Sequence, residues 1–184
     1  VVRLCTWSIV IFLLCVAWLG LVIWEFRWIV TIDVDEGANH RVLVPHASVN
    51  NGHRWHVRAY DTASQSFKDF VCTRFTRVDL LQREVSHAES ASQDLSWSKQ
   101  VELILIPHPD LQHPDAIALD YGMVEGVRRV TTRAALAAYI LRHWQVDCSV
   151  TYRIRGQGCQ LALQNLAVLD DIESAGLAPG AVVR

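Results

Sequence analysis

Hydrophobic and polar positions divide the chain into stretches of different period. Residues 4–24 carry no formal charge, and a helix of that length rises about 30 Å, the depth of a bilayer core. Arg3 precedes the run, Glu25 and Arg27 follow it, and Trp7, Trp24 and Trp28 lie near its ends, where indoles favour the membrane interface. The pattern predicts a transmembrane helix within residues 1–28. The run is too long and too Trp-rich for a cleaved signal peptide and has no clean small-residue cleavage site after it. The chain begins with Val and its single Met is Met123, so an anomalous or fragmentary start is the alternative reading of this stretch.

From residue 29 the period changes to two. Val30, Ile32 and Val34 alternate with Thr31, Asp33 and Asp35, which predicts a half-buried strand. Glu36-Gly37-Ala38-Asn39 and Asn50-Asn51-Gly52 read as turns, with a strand over 41–44 that Pro45 is expected to end. Further strands are expected over 54–60, 67–75 and 76–81. In the first of these, Trp55, Val57 and Ala59 alternate with Arg54, His56, Arg58 and Tyr60. Short strands with close turns predict a small curled antiparallel sheet or barrel over residues 29–83. A serine-rich linker is expected over 84–98. Residues 99–184 read as an α+β unit: a strand over 101–106, a short helix at 116–119, a strand at 127–131, and an amphipathic helix over 133–144. Leu136, Tyr139, Ile140 and His143 are the expected apolar side of that helix. Weaker strands at 150–155 and 160–163 and a last helix at 170–175 complete it.

Composition narrows the function classes. With 51% hydrophobic and 20% charged residues, the 184-residue chain is not disordered or low-complexity. Its net charge of −2 gives no overall field for nucleic acid. Five Cys without a CxxC spacing predict neither a disulfide scaffold nor a Cys-rich zinc site, and no cofactor motif is present. His53 with His56, and His108 with His113, lack further ligands at metal spacing. Cys72 and Cys148 read as buried small apolar residues, not nucleophiles. No catalytic constellation is visible, so an enzyme is not expected.

Charge is uneven, however. Arg54, Arg58, Lys68, Arg74, Arg77 and Arg83 stand against Asp61, Asp69 and Asp79, a positive stretch in a slightly negative chain. Arg128, Arg129, Arg133, Arg142, Arg153 and Arg155 against Asp147 form another, readable as an anion-binding surface or as an ordinary charged face. A local positive patch suits an anionic ligand, and the planar guanidinium fork suits phosphate. Alternation sends His56, Arg58 and Tyr60 to one side of their strand, and either ring could stack on a base. A solvated strand face explains the same residues without a ligand.

The stretches Pro45-His46, Trp55-His56-Val57-Arg58-Ala59-Tyr60 and Asp69-Phe70-Val71-Cys72-Thr73-Arg74-Phe75 together resemble a WYL domain. Ile106-Pro107-His108-Pro109, Asp120-Tyr121-Gly122-Met123 and the helix from Arg133 to Arg142 resemble the extension that follows WYL domains. Their order and spacing, over residues 29–182, are similar to repressors of bacterial anti-phage defence loci. The motif's Tyr and Leu are here His56 and Val57, and an apolar run stands where the family carries a helix-turn-helix. The resemblance implies an Sm-like, SH3-type β-barrel that senses a nucleotide or short single-stranded nucleic acid without catalysis. It implies ligand contacts from Arg58, Arg74, His46, His56 and Tyr60, a homodimer, and a DNA-binding partner for transcriptional output. Combined with the apolar start, it predicts a bacterial inner-membrane protein with a cytoplasmic soluble part, or a cytoplasmic one if the start is anomalous. The competing reading is a membrane-anchored interaction or scaffold protein, or a regulator that has lost its DNA-reading domain.

Overall fold

Period-two stretches do become strands, and the register between them decides which side chains meet. The computed structural model describes residues 31–36, 39–154, 156 and 158–182. The chain divides into two compact units, one ending at Gln93 and the other beginning at Asp94.

The first unit is an antiparallel sheet of β1 (Thr31–Glu36), β2 (Asn39–Asn50), β3 (Trp55–Asp61), β4 (Ser66–Val71) and β5 (Phe75–Leu81). Its strand order is β4-β3-β2-β1-β5. Only the 3₁₀ turn Cys72–Arg74 joins β4 to β5, which are the two opposite edges. A flat sheet would separate them by about 19 Å, more than the roughly 14 Å that such a connection reaches. The sheet is therefore strongly bent over Leu43, Val57, Ala59, Phe70 and Phe75, its buried apolar cluster.

It does not close. No ladder joins β4 to β5 among the described residues, so the Sm-like β-barrel expected from the resemblance is corrected to an open sheet. The membrane helix, and with it the membrane partner and inner-membrane location, is not carried forward either. Among the described residues no helix is long and apolar enough to cross a bilayer. Residues 4–24, from which that expectation came, lie outside the described residues.

Pro45 does not end its strand. β2 runs through it, pairing Pro45 with Ala59, and the register then shifts before Ala47 pairs with Arg58. Proline has no N–H to give a ladder, and a bulge accommodates that loss by leaving His46 as the extra residue. Beyond β5, the serine-rich stretch holds two 3₁₀ turns, His87–Glu89 and Ala91–Gln93. Arg83 grips Glu89 through both guanidinium nitrogens, at 2.9 and 3.0 Å, and Glu89 in turn accepts from the Ser86 backbone N–H.

The second unit opens with the one-turn helix α1 (Leu95–Ser98), capped by Asp94 on the Trp97 N–H. It continues through β6 (Gln100–Pro107), α2 (Pro114–Asp120), β7 (Arg128–Arg133), α3 (Ala134–His143), β8 (Val146–Asp147) and β9 (Leu161–Leu163). Strand order is β7-β6-β9-β8, antiparallel except for the β8–β9 pair. β6 buries Val101, Leu103 and Leu105 on one face, under α3. The α+β expectation for this part is met, but the buried side of α3 is Ala134, Ala135, Ala137, Ala138 and Leu141. Leu136, Tyr139 and Ile140 are only half-buried and His143 is exposed. Small alanines let the helix axis approach the sheet closely, so larger residues are pushed to the flanks.

Candidate functional site

The sequence-predicted site residues gather around β3, but not on the solvated face that alternation suggests. β3 is buried on both sides: Val57 and Ala59 are 3% and 0% exposed, and His56 and Arg58 are each 4% exposed. Ladder register fixes the neighbours. His56 lies opposite Val49 on β2 and Val71 on β4; Arg58 lies opposite Ala47 and Asp69; Tyr60 lies opposite Val44 and Phe67. Directly opposed residues bring their Cβ atoms within about 5.5 Å, so Arg58 and Asp69 must meet. Arg58 Nη1 lies 3.5 Å from Asp69 Oδ1.

The bulge brings His46 into the same neighbourhood. Its ring packs edge-on against Phe67, with centroids 5.7 Å apart, and Phe67 packs edge-on against Tyr60 at 5.1 Å. These three half-buried rings form the aromatic end of the site. Its basic end is marked by His56, whose pKa is lowered below the usual imidazole range. Burial is the main cause; Arg54 and Arg74 reinforce it, while Asp69 and a backbone hydrogen bond at Arg54 oppose it. Arg54, Asp69 and Arg74 are thus all within electrostatic reach of one ring. Arg54 and Arg74 themselves are exposed, Arg74 at the end of the 3₁₀ turn between β4 and β5. Of the five predicted residues, then, His46 and Tyr60 meet through Phe67, Arg58 meets Asp69, and Arg74 and Asp69 act on His56.

Sequence reasoning missed a second polar centre, in the other unit. His108 and Asp147 are 2% and 0% exposed, and His108 Nε2 lies 3.3 Å from Asp147 Oδ2. The Asp110 N–H donates to His108 Nδ1, which assigns the ring proton to Nε2, donating to the carboxylate. Asp147 also accepts the backbone N–H groups of Ser149 at 2.7 Å and Ile154 at 2.9 Å. Burial pushes its pKa up, but the hydrogen bonds from Ser149, Ile154 and His108 outweigh burial and leave it below the usual carboxylate range. Every donor is matched, so the centre fixes the chain after β8 and leaves no reactive group. His108 is committed to this pair, and among the described residues no three His, Cys, Asp or Glu side chains cluster as a metal requires. Burial raises the Cys72 and Cys159 thiols and pushes Cys148 up to about 12, which removes nucleophilic thiolate at neutral pH.

Comparison with known proteins decides the family. Residues 100–169 match the model of the BrxR transcriptional regulator C-terminal dimerization domain. The DNA-binding transcriptional repressor CapW of Escherichia coli (strain KTE188) is 33% identical over 134 residues, 71% of this chain and 43% of the relative. CapW of Pseudomonas aeruginosa is 33% identical over 140 residues, 75% of this chain and 46% of the relative.

The chain belongs to the WYL-associated regulator family.

CapW of Stenotrophomonas maltophilia is 37% identical over 113 residues, 58% of this chain and 36% of its own length. The chain thus spans less than half the length of these WYL-associated relatives. Proteasome accessory factor B/C (PafBC) of Arthrobacter aurescens aligns with 90% of this chain and 25% of its own, at 15% identity and TM-score 0.36, too low to support an argument. Membership of this family points to transcriptional regulation, and the matched WYL-associated proteins are non-catalytic regulators.

Proposed function

We propose that this chain is the effector-sensing and self-associating part of a transcriptional regulator. The first unit takes an anionic ligand, a nucleotide or short single-stranded nucleic acid, at Arg58, Arg74, His56, His46 and Tyr60. The second unit pairs with a second copy, the role named in the BrxR description that residues 100–169 match. Ligand binding shifts the arrangement of the pair and so the affinity of a DNA-binding partner or element for its operator. The observation that carries this reading is the gathering of Arg54, Arg58 and Arg74 about His56 and Asp69 in a chain of net charge −2. Guanidinium groups grip phosphate oxygens through paired N–H donors, and the Tyr60, Phe67 and His46 rings offer an adjoining surface for a base.

Arg74 gives the cleanest test because it is exposed. The chain is expected to bind labelled oligothymidylate with an affinity that falls as salt rises. In Arg74→Ala the slope of log K against log salt is expected to fall by about 0.7, one phosphate contact on a single strand. Arg58→Ala, checked for folding, is expected to lose most binding. Binding indifferent to salt, or unchanged in both variants, would contradict the proposal.

A further inference from the structure

We infer that the ridge from Leu119 to Val124 is the surface on which the second unit meets a second copy of this chain, with Asp120 and Glu125 of each copy facing Arg128 of the other. The inference rests on the self-association reading above and adds the face that carries it. Leu119 is 83% exposed and Val124 75%, both within the stretch that matches the BrxR description. Leu119 stands two residues beyond the buried Ile117, a turn of about 200° around α2, so it points away from the core.

The backbone holds both residues firmly. α2 ends in a Schellman turn: the Gly122 N–H donates to Leu119 O at 3.1 Å and the Met123 N–H to Ala118 O at 2.8 Å, with Gly122 at φ +57°. Val124 and Val127 then exchange backbone hydrogen bonds, both 3.0 Å, across Glu125 and Gly126. Those two lie at φ 52° and 74°, the pattern of a type I′ hairpin turn. Tyr121 and Met123 pack against the core beneath. A ridge so fixed loses little freedom on association.

Its charges are incomplete in a single copy. Arg128 is half-buried, its guanidinium 5.7 Å from the Trp144 ring centroid and its Nη1 donating to Tyr121 O. Among the described residues no carboxylate pairs with it, and its buried Nε has no acceptor. Asp120 and Glu125 are exposed and likewise make no ion pair among the described residues. An apolar pair flanked by two carboxylates and an uncompensated guanidinium complements itself under a two-fold rotation, as a contact between identical copies requires.

Sedimentation equilibrium of the full chain over a concentration series reads the dimer Kd, with circular dichroism to establish that each variant is folded. Wild type is expected to dimerise. The double variant Leu119→Asp, Val124→Asp changes only exposed positions and is expected to raise the Kd about a hundredfold, because a two-fold contact meets each change twice. Glu125→Lys sets like charges at the Arg128 contact and is expected to raise it about tenfold at low salt and less at high salt. Variants that dimerise as wild type does would give the ridge to a different protein, overturning the inference while self-association stands. A response to the apolar variant without one to Glu125→Lys would overturn the two-fold charge pairing and the inference with it. A wild-type chain monomeric throughout would overturn both the inference and the self-association reading.

Discussion

Asp147→Ala is expected to destabilise the second unit by about 3–5 kcal/mol, the range for breaking a buried polar centre by deleting one partner. The carboxylate is fully buried and collects the Ser149 and Ile154 N–H groups and the His108 Nε2 proton. Alanine leaves those donors facing a cavity. The Cβ that an alanine would place at Gly180 falls 3.2 Å from Asp147 Oδ1 and 2.9 Å from Ile154 Cδ1, so the final described segment is packed closely onto this centre. The hydrogen bond from Cys148 N–H to Pro179 O ties it there. Loosening should therefore appear as faster amide exchange at Ser149, Ile154 and Cys148 together. Because the folded carboxyl titrates below its unfolded value, its contribution is complete above about pH 4, the ordinary Asp range, and is lost as pH falls through the depressed folded value. Denaturant titrations across pH should show this acid loss in wild type and not in Asp147→Ala. An equal acid slope in both would contradict the assignment.

Asp61→Ala is expected to cost the first unit about 3 kcal/mol. It removes the acceptor of Arg41, of the Ala63 N–H and of the Ser64 hydroxyl at once, and with them the clamp that sets the β3–β4 turn. That turn places Phe67 opposite Tyr60 and Asp69 opposite Arg58, so a register error here would scatter the candidate site. Asp61→Asn keeps an oxygen for the turn N–H and should recover part of the loss. Equilibrium denaturation of the three proteins, followed at unit-1 amide resonances, checks the order wild type, Asn, Ala.

These two carboxylates show where the sequence is legible and where it is not. Alternation in Trp55 to Tyr60 correctly separates Val57 and Ala59 from His56, Arg58 and Tyr60. It equates the polar side with solvent, and β3 is buried on both sides, so Arg58 and His56 lie inside. Their relation to Asp69 depends on cross-strand register, which no local pattern contains. His108 and Asp147 are 39 residues apart and meet only because β6, β8 and β9 share one sheet. In α3, hydropathy favours Leu136, Tyr139 and Ile140, whereas close packing favours the alanine side with Leu141. The open edges of the first sheet follow from β4 and β5 not pairing, which strand signals alone do not distinguish from a closed barrel.

The proposed site along β3, with its basic end at His56 and its aromatic end at Tyr60, is expected to receive an anionic ligand. The most direct measurement is a residue-resolved NMR titration of the full chain with short oligothymidylate at low salt. The expected result is a set of saturable shifts concentrated at His46, Arg54, His56, Arg58, Tyr60, Phe67, Asp69 and Arg74, reversed by added salt. Shifts confined to the second unit, or none in a folded chain, would contradict it.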